Sequence, residues 1–129
     1  MEIANNEELV IQLDEQNNIL QLLWKPTPVK YTDDQFKKTF VIWMDALKKY
    51  SPKTKSILVD TRKFVYPIPP QTQTWISEFL ESLGKCKYAF IVSADIFAQI
   101  SVEMLMGNVG EGSSKYFTEL PNAIEWLKE

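Results

Sequence analysis

Two short, unbroken apolar runs, Ser56–Asp60 (Ser-Ile-Leu-Val-Asp) and Tyr88–Val92 (Tyr-Ala-Phe-Ile-Val), most constrain what this chain can fold into. Each is too short for a helix and lacks the polar alternation of a strand with one wet face. Both therefore read as strands buried on two faces, as in a parallel sheet. Such strands need crossover connections, and the sequence between and around them carries helical patterns. Thr32-Asp33-Asp34-Gln35 is a capping-box start, and Phe36, Phe40, Trp43, Met44 and Leu47 then recur at helical spacing. Pro52 predicts that this helix ends at about Tyr50. A second helix starts after Pro67, Pro69 and Pro70 and runs to Leu83, with the stripe Trp75, Ile76, Phe79, Leu80 and Leu83, and with Gly84 at its C′ position. Ser93-Ala94-Asp95 offers a cap to a third, marked by Ile96, Phe97, Ile100, Met104 and Leu105.

Upstream, Leu9–Leu13 and Ile19–Trp24 flank the turn residues Asp14-Glu15-Gln16-Asn17-Asn18 and predict a β-hairpin. Its first strand is expected to be an antiparallel edge. Downstream, Gly107–Ser114 reads as a flexible loop, Lys115-Tyr116-Phe117 as a short strand, and Thr118–Glu129 as a last helix with Pro121 in its first turn. The order is ββαβαβαβα. It predicts an α/β fold with a mixed, mostly parallel sheet and about four helices in a single domain over residues 1–129. At 129 residues with 45% hydrophobic content, such a domain buries a core without disulfides or a structural metal.

Charge and composition narrow the function classes. Fourteen basic against seventeen acidic residues give a net charge of -3, the wrong balance for a nucleic-acid binder. The densest basic stretch, Lys48, Lys49, Lys53 and Lys55, surrounds a helix end, where cations complement the macrodipole. The chain has no histidine and one cysteine, Cys86. That removes Ser-His-Asp and Cys-His catalysis, the common zinc sites and any internal disulfide. Cys86 has lysines on both sides that would lower its pKa, but it reads better as a small residue at a strand entrance. An acidic, polar N-terminus and no long apolar run predict a cytoplasmic protein with no membrane span. No cofactor and no metal are predicted.

The order and several local strings resemble the STAS superfamily in its SpoIIAA-like branch, and more narrowly the small bacterial STAS/SEC14-like stand-alone domains. The matching residues are Asp60-Thr61-Arg62 closing a buried strand, Trp75 in the following helix, and Phe97-Ala98-Gln99 after the next strand. Tyr116-Phe117 with Ala123, Trp126 and Leu127 matches near the end. The resemblance implies a mixed sheet with central strands in chain order and helices mainly on one side. It also implies a regulator that binds partner proteins, or, as in some relatives, a domain that accommodates lipids or nucleotides, and it names no reaction.

The candidate site residues are Asp60, Thr61, Arg62, Tyr66, Trp75, Asp95 and Phe97. Asp60-Thr61-Arg62 ends a buried strand, where α/β proteins expose functional groups. It reads either as an anion or partner site, or as an Asp60–Arg62 or Asp60–backbone arrangement that orders the proline loop. Asp95 is either the acid/base companion of Asp60 or the cap of the third helix. Tyr66, Ile68, Trp75 and Phe97 either line an apolar pocket or cap the core, and Trp75, sharing a face with Ile76, Phe79, Leu80 and Leu83, is expected to be a buried core side chain. Gly107, Gly110 and Gly112 do not form a phosphate loop, because they follow a helix and precede a strand. Three functions compete: a non-catalytic binding or regulatory module for another protein, a carrier of a small apolar or lipid-like ligand, and an enzyme using Asp60, Asp95 and Arg62. The exposed edge Leu9–Leu13 further predicts a two-fold homodimer. Thr61 keeps a hydroxyl where the antagonists of the family place a phosphorylated serine. The proline loop separates it from the next helix, so a phosphorylation switch is not predicted.

Overall fold

A computed structural model describes residues 1–26, 31–64, 68–94, 108–109 and 112–129. These residues form an α/β structure with a mixed sheet and three helices. The strands are β1 (Glu2–Asn5), β2 (Leu9–Asp14), β3 (Ile19–Trp24), β4 (Ser56–Asp60), β5 (Lys87–Ile91), β6 (Asn108–Val109) and β7 (Gly112–Phe117). The helices are α1 (Asp33–Thr54), α2 (Pro70–Ser82) and α3 (Leu120–Lys128). In space the strands run β1-β2-β3-β4-β5-β7-β6. The first three form an antiparallel meander, β3, β4, β5 and β7 are parallel, and β6 pairs antiparallel with β7.

The predicted hairpin forms as β2 and β3. Its turn is closed by Asp14, whose carboxylate accepts from the Asn17 amide at 3.1 Å and side chain at 2.8 Å, while Asn18 turns the chain at φ 56. The same Asn17 side chain is the main reason the Asp14 carboxyl sits below its usual pKa. The buried runs become β4 and β5, and their alternation divides the interior. Ile57, Val59 and Tyr88 face the core shared with Leu9, Ile11, Leu20 and Leu22, which α1 covers with Phe36, Phe40, Trp43 and Leu47 and α2 with Phe79. Leu58, Ala89 and Ile91 face the other way, onto Ala123 and Leu127 of α3. Among the described residues, α1 and α2 thus cover one face and α3 the opposite face.

The capping box forms as read: Thr32 Oγ1 accepts from the Gln35 amide at 3.2 Å, and Gln35 Oε1 accepts from the Thr32 amide at 2.9 Å. Four expectations are corrected. Helix α1 does not stop at Tyr50 but runs through Pro52 to Thr54. Proline costs one helical hydrogen bond, yet its fixed φ suits a helix, and the last turn is held by the buried Ser51 and Thr54. Its C-cap is Lys55 at φ 54, whose amide donates to the Ser51 carbonyl at 2.9 Å. The loop over 107–114 is in part strand, because β5 supplies a parallel ladder to Ser113–Phe117 and β6 an antiparallel one to Gly112 and Ser113, which together override the weak β-propensity of Gly-Ser-Ser.

Third, Leu9–Asp14 is not an edge. Glu2–Asn5, read as a polar tail, pairs along it with a register shift between Glu2 and Ala4. The unpaired edge that was to drive a homodimer is already covered, and the strand that covers it is short and bulged, a common protection against pairing. Fourth, Trp75 is only partly buried, packed on the core margin with its ring 5.6 Å from Phe40. The deep side chains of α2 are Phe79 and Thr72, the latter 1% exposed with its hydroxyl donating to the Asp33 carboxylate at 3.0 Å. The expected third helix, from Ile96 to Leu105, lies outside the described residues. Gly84 at φ 81 ends α2 in the left-handed conformation predicted for it.

Candidate functional site

Parallel strands commonly present functional groups at their C-terminal ends, and Asp60 closes β4 there. Strand pairing sets it in a row across the sheet. Asn5 pairs with Val10, Val10 with Leu23, Leu23 with Asp60, Asp60 with Ile91, and Ile91 with Phe117. Ile91 and Phe117 lie in the core beneath α3, whereas Val10, Leu23 and Asp60 remain partly exposed beyond it. The result is a cleft of about 450 Å³, lined by Val10, Leu23, Trp24, Lys25, Pro26, Asp60, Arg62 and Lys63. That volume is within the range of small-molecule sites.

Asp60 and Arg62 are bound to each other. Arg62 Nε donates to Asp60 Oδ1 at 3.0 Å and Nη2 to Oδ2 at 2.7 Å, and the Arg62 amide adds a third bond to Oδ1 at 3.1 Å. The hydrogen bond to Asp60 is the main cause raising the Arg62 pKa, with Glu119 at the start of α3 adding a smaller attraction. The Thr61 hydroxyl donates to the Ile91 carbonyl at 3.0 Å and its amide to the same oxygen at 2.8 Å, tying the ends of β4 and β5 together. Phe64 then closes the turn with its amide on the Thr61 carbonyl at 3.0 Å. Its ring sits 4.6 Å from Trp24 and 5.7 Å from Phe36. The expected Asp60–Arg62 and Asp60–backbone bonds form, and these three hold the turn that carries Arg62 and Lys63 over the cleft, while residues 65–67 of the proline loop lie outside the described residues.

The structure does not unite all the residues singled out in the sequence. Trp75 packs against the margin of the core on the α1 and α2 face, whereas Asp60, two residues after Leu58 on β4, alternates onto the α3 face. Ile68 likewise packs against that core. Tyr66, Asp95 and Phe97 lie outside the described residues. Cys86 is 4% exposed, and burial is the main cause pushing its thiol pKa up, with Lys55 acting weakly in the other direction. It is a packed side chain, as expected of a strand entrance, and not an activated nucleophile.

Sequence reasoning missed Val10, Leu23 and Lys25. The Lys25 ammonium donates to Asn5 Oδ1 at 2.8 Å and to the Asn6 carbonyl, so the end of the hairpin is held against the turn after β1. A second cleft of about 430 Å³, lined by Asn6, Glu7, Glu8, Gln35, Lys38, Thr39 and Ile42, lies between that turn and α1. Among the described residues no group of three or more His, Cys, Asp or Glu side chains is placed to hold a metal, and no helix is long and apolar enough to cross a membrane. Comparison with family models, curated proteins and solved structures finds no match.

Proposed function

We propose that this chain is a non-catalytic binding module of the STAS-like type, which takes its partner in the cleft at the ends of β3 and β4. The observation that carries this reading is the closure of the Asp60–Arg62 pair beside the apolar side chains of Val10 and Leu23 in one cleft. Both Asp60 oxygens are engaged by Arg62, and the Thr61 hydroxyl is engaged by Ile91, so the polar groups best placed for chemistry are used to shape the rim. Val10 and Leu23, both partly exposed, meanwhile line the cleft with apolar surface. Binding sites combine an apolar floor with a few fixed polar groups in this way. The family reading is supported by two features: β3, β4, β5 and β7 lie side by side in chain order, and Asp60-Thr61-Arg62 closes the second of them.

The test is native mass spectrometry of the protein purified from its own cells, compared with the cleft variant Leu23→Lys. The expected result is a bound mass, protein or small molecule, on the wild type and its loss from a folded variant. Identical spectra from the two proteins would contradict the assignment of the cleft.

A further inference from the structure

The four charged residues of the cleft are not equivalent. Three are cations, Lys25, Arg62 and Lys63, and one is the carboxylate of Asp60. Arg62 is spent on Asp60 and is further attracted by Glu119. Lys25 is held differently. Its two acceptors, Asn5 Oδ1 and the Asn6 carbonyl, are both neutral, so the ammonium is fixed in place while no carboxylate among the described residues pairs with it. An ammonium has three N–H donors, and these contacts use two. Lys63 is exposed on the turn that Asp60 and Phe64 hold in place, and no carboxylate pairs with it among the described residues. Among the described lining residues, subtracting the one carboxylate from the three cations leaves an excess of two positive charges, on a chain whose net charge is -3.

Beneath these charges lie Val10 and Leu23, paired across β2 and β3, with Pro26 at the side. An ammonium fixed in advance lowers the ordering cost of binding an anion, and the aliphatic floor rewards an apolar body. Resting on the binding-module reading, we infer that the occupant is a small organic acid: a carboxylate on an apolar body, its charge at Lys25 and Lys63 and its body over Val10 and Leu23. A protein partner is the alternative that the experiment separates.

The probes are phenylbutyrate, phenylbutanol and phenylbutylamine, which share one carbon skeleton and carry negative, no and positive charge. Each is titrated into the ¹⁵N-labelled full chain, and the amide shifts are followed. The acid is expected to shift the amides of Val10, Leu23, Lys25 and Arg62. It is expected to bind roughly threefold or more tightly than the alcohol, as one or two exposed charge pairs allow, and the amine most weakly. That preference should shrink as salt rises from roughly 0.02 to 0.5 M. Lys63→Gln, at an exposed position, should narrow the gap between acid and alcohol without weakening the alcohol. Lys25→Gln should do the same, with its spectrum reporting whether the fold is kept. Cleft binding in which alcohol or amine equals the acid would overturn the anion assignment and leave the cleft itself intact. No cleft shift with any probe would overturn the small-acid inference. The binding-module reading would then stand or fall on whether native mass spectrometry finds a protein lost from Leu23→Lys.

Discussion

Removing the Phe64 ring tests the link between core packing and the cleft. Phe64 is partly buried, 4.6 Å from the Trp24 ring, 5.7 Å from Phe36 and 6.5 Å, edge on, from Tyr31. A fully buried phenylalanine cut to alanine costs ~3–5 kcal/mol. Partial burial reduces the transfer part by about half, while the aromatic contacts keep a share of the ~0.5–1.5 kcal/mol that each such pair adds. The expected loss for Phe64→Ala is therefore about 2 kcal/mol. Phe64→Leu, which keeps apolar volume and loses only ring contacts, should lose about 1 kcal/mol. For a chain of this size about 3–5 °C of Tm goes with each kcal/mol, so the alanine variant should melt about 6–10 °C lower. Urea melts with an unchanged m-value give the number directly. Function should follow, because the same ring anchors the turn bearing Arg62 and Lys63, and that turn should lose amide-exchange protection. A loss below about 0.5 kcal/mol would mean that the ring does not hold the turn to Trp24 and Phe36, and would refute the reasoning.

Other substitutions probe separate parts of the account. Tyr88 is 1% exposed, and its hydroxyl has the Cys86 thiol as a neighbour but no hydrogen bond of acceptable geometry. Tyr88→Phe should therefore be neutral or stabilising by up to about 1 kcal/mol in a urea melt, and a larger loss would reveal a hidden partner. Burial is the main cause raising the Tyr88 phenol pKa, so the folded state keeps a proton that the unfolded state releases. Its contribution is whole below about pH 10 and lost as pH rises past it, and Tyr88→Phe should flatten the alkaline fall in stability. Thr72→Val leaves the partly exposed Asp33 carboxylate without its buried hydroxyl donor and should cost about 1–2 kcal/mol by the same melt. Thr61→Val removes the hydroxyl bond to Ile91 and should cost about 1 kcal/mol while leaving cleft binding unchanged. Peptide mapping of protein from its own cells should find Thr61 unphosphorylated, since a phosphate there would break that bond; substantial Thr61 phosphate would contradict this.

What the sequence made legible was local. The capping box of Thr32 and Gln35, the turn from Asp14 to Asn18, the two buried strands and the stop at Gly84 each depend on neighbours a few residues away. Local signals also favoured the ordering role of Asp60 and Arg62, which lie two residues apart. What it hid depends on distant partners. Glu2–Asn5 is a strand only because β2 offers it a ladder, and Gly112–Ser114 only because β5 and β6 do. Pro52 stays helical because Ser51 and Thr54 are buried by residues elsewhere in the chain. The cleft was hidden for the same reason. Val10, Leu23 and Asp60 become neighbours through cross-strand register, and Lys25 becomes a fixed cation through Asn5, twenty residues earlier. Trp75 shows the reverse error: its helical stripe was read correctly, but α2 meets the core most deeply through Phe79 and Thr72.

The central claim is that the partner of this chain sits at the ends of β3 and β4. The most direct measurement is amide shift mapping of the protein carrying the mass it retains from its own cells, against the same protein stripped of it. The account expects the largest differences at Val10, Leu23, Lys25, Asp60 and Arg62, with little change at Gln35, Lys38 and Ile42. Differences centred on Gln35, Lys38 and Ile42 would move the site to the cleft beside α1 and contradict the account.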